Sequence, residues 1–370
     1  MEGVQIAFTG DTCFSGNYHE RLRQGLPVFS ASVQQKLLSL DFVVTNLEGA
    51  LCHDLSPVKP GIVLANPPEA VHALASNNIQ VFNLANNHIM DFGNAGLLQT
   101  FSILNKKQLP HFGAGKNAAE ASQPVYLEKN GVTVALIGCA HKEGMMASEN
   151  EPGVFYVGHH KLLRQQAEQA RQSADWVVLN YHGGEEFTRF PQPTRRRLLR
   201  KLLQLPVDFI VAHHPHVVQG VEEFNGKYIF WSLGNFIFHL AEHQNLQYVN
   251  QGMLPIFHFS KTQFKFHILP LILNIEKGIV EEGDASQFRA VLEELSDFSD
   301  YGKKWRKEAS RVFWAKRNKR SLGETEGEGA KGNKGLLQKA KTAVRWLRDE
   351  NQRPLVMGAI KEALYKKLRN

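Results

Sequence analysis

The sequence predicts an α/β fold in which mixed β-sheets are layered against helices. Short apolar, β-rich runs of about four to eight residues recur along the chain, and helical patterns lie between many of them. Asn130-Gly131 and Asn225-Gly226 each separate two apolar runs and are typical of tight hairpin turns, so antiparallel pairs should accompany parallel ones. Hydrophobic residues make up 43% of the 370 residues, which is enough for a large core.

Each element follows from a local pattern. The apolar runs predict strands at 4–8, 42–45, 79–84, 132–137, 176–180, 209–212 and 228–233. Alternation of apolar and polar residues over 256–280 predicts closing antiparallel strands. Apolar residues at helical spacing predict helices over 33–38, 68–75, 97–104, 194–205 and 286–295.

The composition changes near residue 300 and divides the chain. Residues 1–300 form the predicted α/β domain. Residues 301–322 are basic with interleaved aromatic residues and predict a basic helical segment, and the Gly-rich, charged stretch 323–335 predicts a flexible linker. Residues 336–370 have apolar residues at helical spacing, which predicts an amphipathic helical tail broken near Pro354.

The charge is unevenly distributed along the chain. The net charge is +7, with 43 Lys and Arg against 36 Asp and Glu; residues 303–370 hold 20 against 7, a net of +13, and the remaining residues hold 23 against 29, a net of −6. Such a tail favours an anionic partner or contact with a membrane surface, although solvated charge is the simpler alternative. No DNA- or RNA-binding motif is recognised, which argues against a nucleic-acid partner.

Cysteine usage and hydropathy indicate the compartment. Cys13, Cys52 and Cys139 are odd in number and far apart, which favours reduced thiols over a disulfide framework. The first residues lack the basic and apolar regions of a signal peptide, and no run approaches the roughly 20 apolar residues that cross a bilayer. We therefore expect a soluble, cytoplasmic protein that reaches a membrane, if at all, as a peripheral partner.

Short polar motifs follow the predicted strands and carry the functional signal. They are Gly10-Asp11, Asn46-Leu47-Glu48, Asn86-Asn87-His88, His182-Gly183-Gly184, His214-Pro215-His216 and Gly234-Asn235-Phe236. Because the carboxyl ends of strands in an α/β sheet line one crevice, these side chains should converge, and their carboxylates, amides and imidazoles suit divalent cations. Each motif alone also fits a turn, a helix cap or a packed residue. His214 and His216 are the strongest single signal, since an extended His-x-His segment turns both imidazoles to one side.

The order of these motifs resembles the calcineurin-like metallophosphoesterase superfamily. More closely, the segments GDTCFSG, NLEGAL, NLANNHIMDFG, GAGKNAAEASQP, HHPHVVQG and SLGNFIF resemble the CapA family of poly-γ-glutamate capsule synthesis. The resemblance covers about residues 4–240 and implies a layered metallophosphoesterase-like fold for residues 1–300. It also implies two divalent metal ions (Mn, Fe or Zn), a phosphorylated or polyanionic substrate, and contact of the basic tail with capsule machinery.

The resemblance implies a role for each motif residue. Glu48 would bridge the two metals, and His88 would be catalytic, by protonating a leaving oxygen or stabilising charge on a phosphoryl group. A water activated by the metals would be the nucleophile. Six side chains would hold the metals: Asp11, Glu48, Asn87, His182, His214 and His216.

Some positions depart from the family pattern. The superfamily has a histidine two residues after the first aspartate, where this chain has Cys13, which is either a thiolate ligand or a small buried residue. CapA relatives commonly have a tryptophan where this chain has Gly183. Glu186 is a substrate-binding candidate because it lies close to His182 in sequence. Asn235 is another candidate, either for contacting substrate or for orienting a ligand histidine.

The resemblance favours a metal-dependent phosphoesterase that acts in the biosynthesis of a capsule, poly-γ-glutamate or another surface polymer. The main alternative is a non-catalytic assembly or polymer-binding component of a capsule synthesis or export complex, which Cys13 and the basic tail would suit. Hydrolysis of a γ-glutamyl or peptide bond stays open, because an activated water also attacks carbonyl groups. A serine hydrolase is disfavoured, since no G-x-S-x-G elbow is present.

Overall fold

A computed structural model describes residues 3–141, 144–243, 246–323 and 353–367. The strands are β1 (Val4–Thr12), β2 (Phe42–Leu47), β3 (Ala50–Leu51), β4 (Ala65–Asn66), β5 (Ile79–Asn83), β6 (His111–Phe112), β7 (Ala114–Gly115), β8 (Val125–Lys129), β9 (Val132–Ala140), β10 (Gly153–Val154), β11 (Trp176–His182), β12 (Phe209–His213), β13 (Val221–Phe224), β14 (Lys227–Phe230), β15 (Asn235–Ile237), β16 (Gln251–Phe259), β17 (Phe264–Asn274) and β18 (Ile279–Glu282). The helices are α1 (Gly16–Arg23), α2 (Ala31–Leu38), α3 (Ala70–Ala75), α4 (Gly93–Lys106), α5 (Ala118–Ala121), α6 (His160–Ser173), α7 (Pro193–Leu202), α8 (Ala285–Ser296), α9 (Tyr301–Gly323) and α10 (Arg353–Lys367).

Two large sheets form the body, and both are mixed. The first has the order β18-β17-β16-β1-β2-β5-β6, with β15 also paired to β1, and the second has the order β13-β14-β12-β11-β9-β8. In the first sheet β1, β2, β5 and β6 are parallel while β16, β17 and β18 close it antiparallel. In the second, β9, β11, β12 and β14 are parallel, with an antiparallel strand at each edge. The predicted fold class, mixed sheets layered against helices, is confirmed.

The two sheets pack face to face, and helices cover their outer faces. Along β1, Ile6 and Phe8 join the apolar layer between the sheets, whereas Ala7 between them joins the layer under α2, α3 and α4. Along β9, Val134 faces the inner layer and Ala135 faces the layer under α6 and α7. This alternation is the period of two expected of a strand, and both faces of each sheet are apolar because both are covered.

Both predicted hairpins are present. The Asn130-Gly131 turn joins β8 to β9, and the Asn225-Gly226 turn joins β13 to β14. All four turn residues have positive φ, at 51° and 71° in the first turn and 54° and 73° in the second. This is the conformation for which Asn-Gly is selected in two-residue hairpins.

The C-terminal helices contact the body. Trp305, Ala309 and Val312 of α9 and Leu355 of α10 are buried in a cluster with Phe187. The segment predicted as basic and helical therefore packs through apolar residues on one face of α9. The linker predicted over 323–335 lies outside the described residues apart from Gly323, and so does the first part of the tail, up to residue 352. In the part of the chain that the structure describes, no helix is both long enough and apolar enough to span a membrane.

Candidate metal centre

Side chains from both sheets converge at the carboxyl ends of their parallel strands. Asp11 lies in β1 and Glu48 follows β2, while His182 ends β11 and His214 follows β12. Among the described residues, two groups of three ligand atoms each lie within 4.8 Å of one another, and all their side chains are buried. One group is Asp11, Glu48 and His216, and the other is Glu48, His182 and His214. Because Glu48 belongs to both groups, it is placed to bridge two cations.

Glu48 is the buried acid that the protein itself leaves unsatisfied. It is fully buried, and neither carboxylate oxygen has a hydrogen-bond partner among the described residues. Its Oε1 lies 3.8 Å from Nε2 of His182 and 3.8 Å from Nε2 of His216. Burial raises the pKa of Glu48 well above its ordinary value; His216 lowers it in part, and the charge on Asp11 adds to the rise. Since a buried carboxylate without hydrogen bonds is costly, this position fits a residue that binds cations.

Asp11 is held as an ion by protein donors. Its Oδ1 accepts a hydrogen bond from Nδ2 of Asn46 at 2.8 Å, and its Oδ2 accepts one from the backbone N–H of His214 at 3.2 Å. The same Oδ2 lies 3.3 Å from Nδ1 of His216. Burial alone would raise the pKa of Asp11, but the hydrogen bond from His216 and the charges of the nearby imidazoles bring it below its ordinary value. Asp11 is therefore ionised at neutral pH and can serve as a metal ligand.

Asn87 joins the second group of donors. Its Oδ1 lies 2.8 Å from Nε2 of His182, and Nδ1 of His214 lies 3.2 Å from the same nitrogen. Burial lowers the pKa of His182 well below its ordinary value, and His214 lowers it further. His182 is therefore neutral at neutral pH, which is the form of imidazole that binds a metal. Glu48, Asn87, His182 and His214 together offer an oxygen- and nitrogen-rich set of the kind that Mn, Fe and Zn accept.

Asn235 fixes the orientation of His216. Its Oδ1 lies 2.9 Å from Nδ1 of His216, and its Nδ2 donates to the carbonyl oxygens of His216 at 3.3 Å and Val249 at 2.9 Å. Asn235 is 1% exposed. Both the oxygen and the nitrogen of this buried amide make hydrogen bonds within the protein. Asn235 is therefore placed to orient His216 as a metal ligand rather than to reach a substrate.

His214 and His216 converge through a turn, so the extended segment expected from the sequence is wrong. Strand β12 ends at His213, and the φ angles of His214 and His216 are 97° and 57°. Positive φ is uncommon for residues other than glycine and costs of order 1–3 kcal/mol at each position. The surrounding structure keeps this turn in place, since the backbone N–H of His214 is bonded to Asp11. His213 remains buried in the strand, with Nδ1 at 3.8 Å from Oδ1 of Asp11.

His88 lies beside the bridging carboxylate with one ring nitrogen fixed. Its Nδ1 is 2.7 Å from Oδ2 of Asp91, and its Nε2 is 4.0 Å from Oε1 of Glu48. Asp91 is fully buried; it accepts the backbone N–H of Leu64 at 2.8 Å and forms an ion pair with Lys59. Burial lowers the pKa of His88, and the bond with Asp91 opposes that change. The imidazole therefore presents Nε2 toward the centre.

Glu186 lies near the centre, in the loop after β11. It is partly buried, and its charge raises the pKa of both Glu48 and His216. Its role in substrate binding stays a prediction.

Cys13 is in neither group of ligand atoms. Its buried thiol donates to the carbonyl oxygen of Ala65, with an Sγ–O distance of 3.8 Å, and it lies in a small apolar cluster with Leu64 and Phe238. Burial raises the pKa of Cys13, which keeps the sulfur protonated. Of the two alternatives for Cys13, this geometry favours the small buried residue over the thiolate ligand.

The polar residues that hold the ligands in place lie outside the predicted ligand set. Nδ2 of Asn83 donates to Oδ1 of Asn46 at 2.8 Å, which orients the amide that contacts Asp11. Asp91 could have been found from the NNHIMD segment, because a carboxylate three residues after a histidine can reach it across one turn. Lys59 lies in a loop without a periodic pattern, and no local signal marks it.

A family description, "Bacterial capsule synthesis protein PGA_cap", matches residues 5–240. The chain belongs to this family. It is 29% identical over 317 residues to the PGA biosynthesis protein CapA of Bacillus subtilis, and the aligned region covers 84% of this chain and 81% of that protein. It is 32% identical over 247 residues to the capsule biosynthesis protein CapA of Bacillus anthracis, covering 64% and 60% of the two chains. Among solved structures, a phosphatase from Mycoplasma pneumoniae aligns with a TM-score of 0.47 at 12% identity, over 81% of this chain and 99% of that one. The resemblance to the CapA family is confirmed.

Proposed function

We propose that this member of the PGA_cap family is a metal-dependent phosphoesterase-type hydrolase that acts in the synthesis of a capsule polymer such as poly-γ-glutamate. The observation that carries the proposal is Glu48, a buried carboxylate that accepts no hydrogen bond from the described residues and is shared by two groups of ligand atoms. The capsule assignment is supported by the family match and by the names of the two CapA relatives.

The donor sets fit two divalent cations. Asp11, Glu48 and His216 would hold one, and Glu48, Asn87, His182 and His214 would hold the other. Bound there, such ions would polarise a phosphoryl oxygen and lower the pKa of a coordinated water. The low exposure of these donors strengthens every charge interaction within the centre, since little water screens it.

His88 is the residue that would move a proton. Its Nε2 faces the centre, and its Nδ1 is fixed by Asp91 at 2.7 Å. The fixed Nδ1 leaves Nε2 as the nitrogen that exchanges a proton with a leaving oxygen. Asp91 is itself held by Lys59 and by the backbone N–H of Leu64, so it keeps the ring in one orientation.

Lys59 would bind an anionic group of the substrate. Its side chain is 33% exposed, and its ammonium group pairs with Asp91 and donates to the carbonyl oxygen of Asn87 at 3.4 Å. An ammonium group has three N–H donors, so a third remains for a ligand. A phosphoryl oxygen or a carboxylate of a polyanionic substrate suits that donor.

A metal-reconstitution assay tests the proposal. The protein is loaded separately with Mn²⁺, Fe²⁺ and Zn²⁺ and assayed with bis(p-nitrophenyl) phosphate, p-nitrophenyl phosphate and γ-glutamyl-p-nitroanilide. We expect phosphoester turnover that falls by about 10²–10⁴ in His88→Asn, while the metal content is unchanged. His19→Asn is the matched control, because His19 is exposed on α1. Full turnover in His88→Asn would contradict the assigned role.

A second candidate is a non-catalytic, polymer-binding component of a capsule complex. It is favoured by the net charge of +13 on residues 303–370 and by the exposed Lys303 and Lys307 on α9. Co-sedimentation with poly-γ-glutamate at low and high salt tests it, because an electrostatic contact weakens as salt screens it. Salt-sensitive binding by a metal-loaded protein that hydrolyses none of the three substrates would favour this candidate over the enzyme.

A further inference from the structure

The loop after β11 connects the metal centre to the C-terminal helices. Phe187 in this loop is 4% exposed, and its ring stacks near that of His216, with centroids 6.1 Å apart and planes at 26°. The same ring meets His243 edge-on, with centroids 4.8 Å apart. The backbone N–H of Phe187 donates to the carbonyl oxygen of Pro215 at 2.8 Å. Phe187 thus contacts both the side chain of a metal ligand and the turn that presents it.

Phe187 has a backbone conformation that needs external support. Its φ is 65°, which is a true outlier for a bulky residue that is not glycine. Such a conformation costs of order 1–3 kcal/mol and persists only where neighbouring structure imposes it. The neighbouring structure here includes a hydrogen bond from α9.

Arg311 of α9 holds the carbonyl of this same residue. Its Nη2 donates to the carbonyl oxygen of Phe187 at 2.7 Å and to Oε2 of Glu308 at 2.8 Å. That carboxylate oxygen also accepts the backbone N–H of Arg189 at 3.2 Å. The guanidinium groups of Arg189 and Arg311 lie 4.6 Å and 5.5 Å from the ring centroid of Tyr248. We call Arg189, Tyr248, Glu308 and Arg311 the loop clasp.

Helix α10 packs closely against α9. Gly358 of α10 lies so close to α9 that a Cβ atom there would be 2.4 Å from Cβ of Ala309. Leu355 of α10 and Trp305 of α9 share the buried cluster that contains Phe187. Both helices lie beyond residue 240, where the family match ends.

We propose that Arg311 is a positioning residue for the metal centre, because it holds Phe187 against His216 through the loop clasp. The C-terminal helices would then complete a site whose ligands all lie between residues 11 and 216. This inference rests on the proposed function, since it assumes that His216 binds a metal. It adds that residues outside the family match determine how firmly that metal is held.

The test combines amide hydrogen exchange with Mn²⁺ titration of the full-length protein. Arg311→Ala is compared with Arg311→Lys, which keeps the charge, and with Lys307→Ala, an exposed position on the same helix. The side chain of Arg311 is 27% exposed, so Arg311→Lys, which keeps the aliphatic part of the side chain, separates lost hydrogen bonds from lost packing. In Arg311→Ala we expect the amides of Phe187 and Arg189 to exchange about tenfold faster, consistent with losing a bond from a charged donor. We also expect about tenfold weaker binding at one of two Mn²⁺ sites, with partial recovery in Arg311→Lys.

The outcomes separate this inference from the proposed function. Unchanged exchange at Phe187 in Arg311→Ala would overturn the clasp. Faster exchange with unchanged Mn²⁺ affinity, even with a lower melting temperature, would overturn the positioning role and leave Arg311 purely structural. Wild-type protein that binds no Mn²⁺ would defeat the proposed function directly, and this inference with it.

Discussion

Asp11 and Glu48 lie in the same centre and are both fully buried, yet the protein treats them differently. Asp11 accepts hydrogen bonds from Asn46 and from the backbone of His214, and its pKa is below the ordinary value. Glu48 has no hydrogen-bond partner among the described residues, and its pKa is well above the ordinary value. The fold stabilises the charge of Asp11 with its own hydrogen bonds, whereas the charge of Glu48 would be stabilised by bound cations.

The largest expected effect comes from replacing Glu48. Glu48→Gln removes the shared donor, so both cations should bind poorly and phosphoester turnover should fall by about 10⁴, because metal ions supply several kcal/mol of transition-state stabilisation. Steady-state assays at saturating Mn²⁺ measure this. The matched control is Glu120→Gln, since Glu120 is an exposed acid on α5. Turnover within tenfold of wild type would contradict a bridging role.

The two acids should differ in how much stability they contribute when it is measured without metal. Asp11→Asn breaks a buried, bonded ion pair and should lower the free energy of unfolding by about 3 kcal/mol. Glu48→Gln loses the attraction to His216 but also relieves a buried charge without hydrogen bonds, so the two effects partly cancel and the loss should be only about 1 kcal/mol. Urea unfolding of chelator-treated protein measures both values. If both variants lose similar stability, the contrast between the two acids is wrong.

The pH dependence of the metal-free protein should reflect His216, the imidazole between the two acids. Burial would lower its pKa, but the charge on Glu48 and the bond and charge of Asp11 raise the pKa of His216 to about 10. Near pH 7–8 the folded protein keeps a proton that the unfolded chain has released, so stability should fall as pH rises, by about 1.4 kcal/mol per pH unit. Urea unfolding at several pH values measures the slope. It should flatten in His216→Gln, and an equal slope in that variant would contradict this assignment.

Much of this centre was predictable from the sequence, and the reason is topological. Asp11, Glu48 and His182 each stand at or just after the carboxyl end of a parallel strand, so the strand pattern alone places them together. The turn at His214 and His216 was not predictable, because their positive φ depends on bonds to Asp11 and Asn235 made over long sequence separations. The strand pattern locates residues at strand ends, but it does not reveal a backbone conformation that depends on tertiary contacts.

The same distinction explains the missed residues outside the motifs. Lys59 reaches Asp91 from a loop 32 positions earlier in the sequence, and no periodicity marks it. Arg311 donates a hydrogen bond to the carbonyl oxygen of Phe187, which lies 124 positions earlier in the sequence. Trp305 belongs to a segment whose basic and aromatic composition predicted contact with an outside partner, yet its side chain is 5% exposed and packs inside the protein. Composition alone cannot tell an aromatic residue that docks on the body from one that meets a partner.

The smallest expected effect lies at the edge of the centre. Lys59→Met keeps the length of the side chain and removes its charge, so it should raise KM for the phosphoester about tenfold, as expected for one lost charged contact. The metal content should be unchanged, because Lys59 bonds to the backbone carbonyl of Asn87 and not to its Oδ1, the atom that would bind the metal. Lys116→Met, on an exposed loop, is the control. A loss of bound metal in Lys59→Met would place Lys59 among the supports of the centre instead.

The number of cations that Glu48 holds can be counted directly. Wild-type protein and Glu48→Gln are loaded with Mn²⁺, dialysed, and measured by elemental analysis against protein concentration. We expect about two Mn²⁺ per chain in the wild type and less than one in the variant, because two donor groups share Glu48. No bound Mn²⁺ in the wild type, or two in Glu48→Gln, would contradict this expectation.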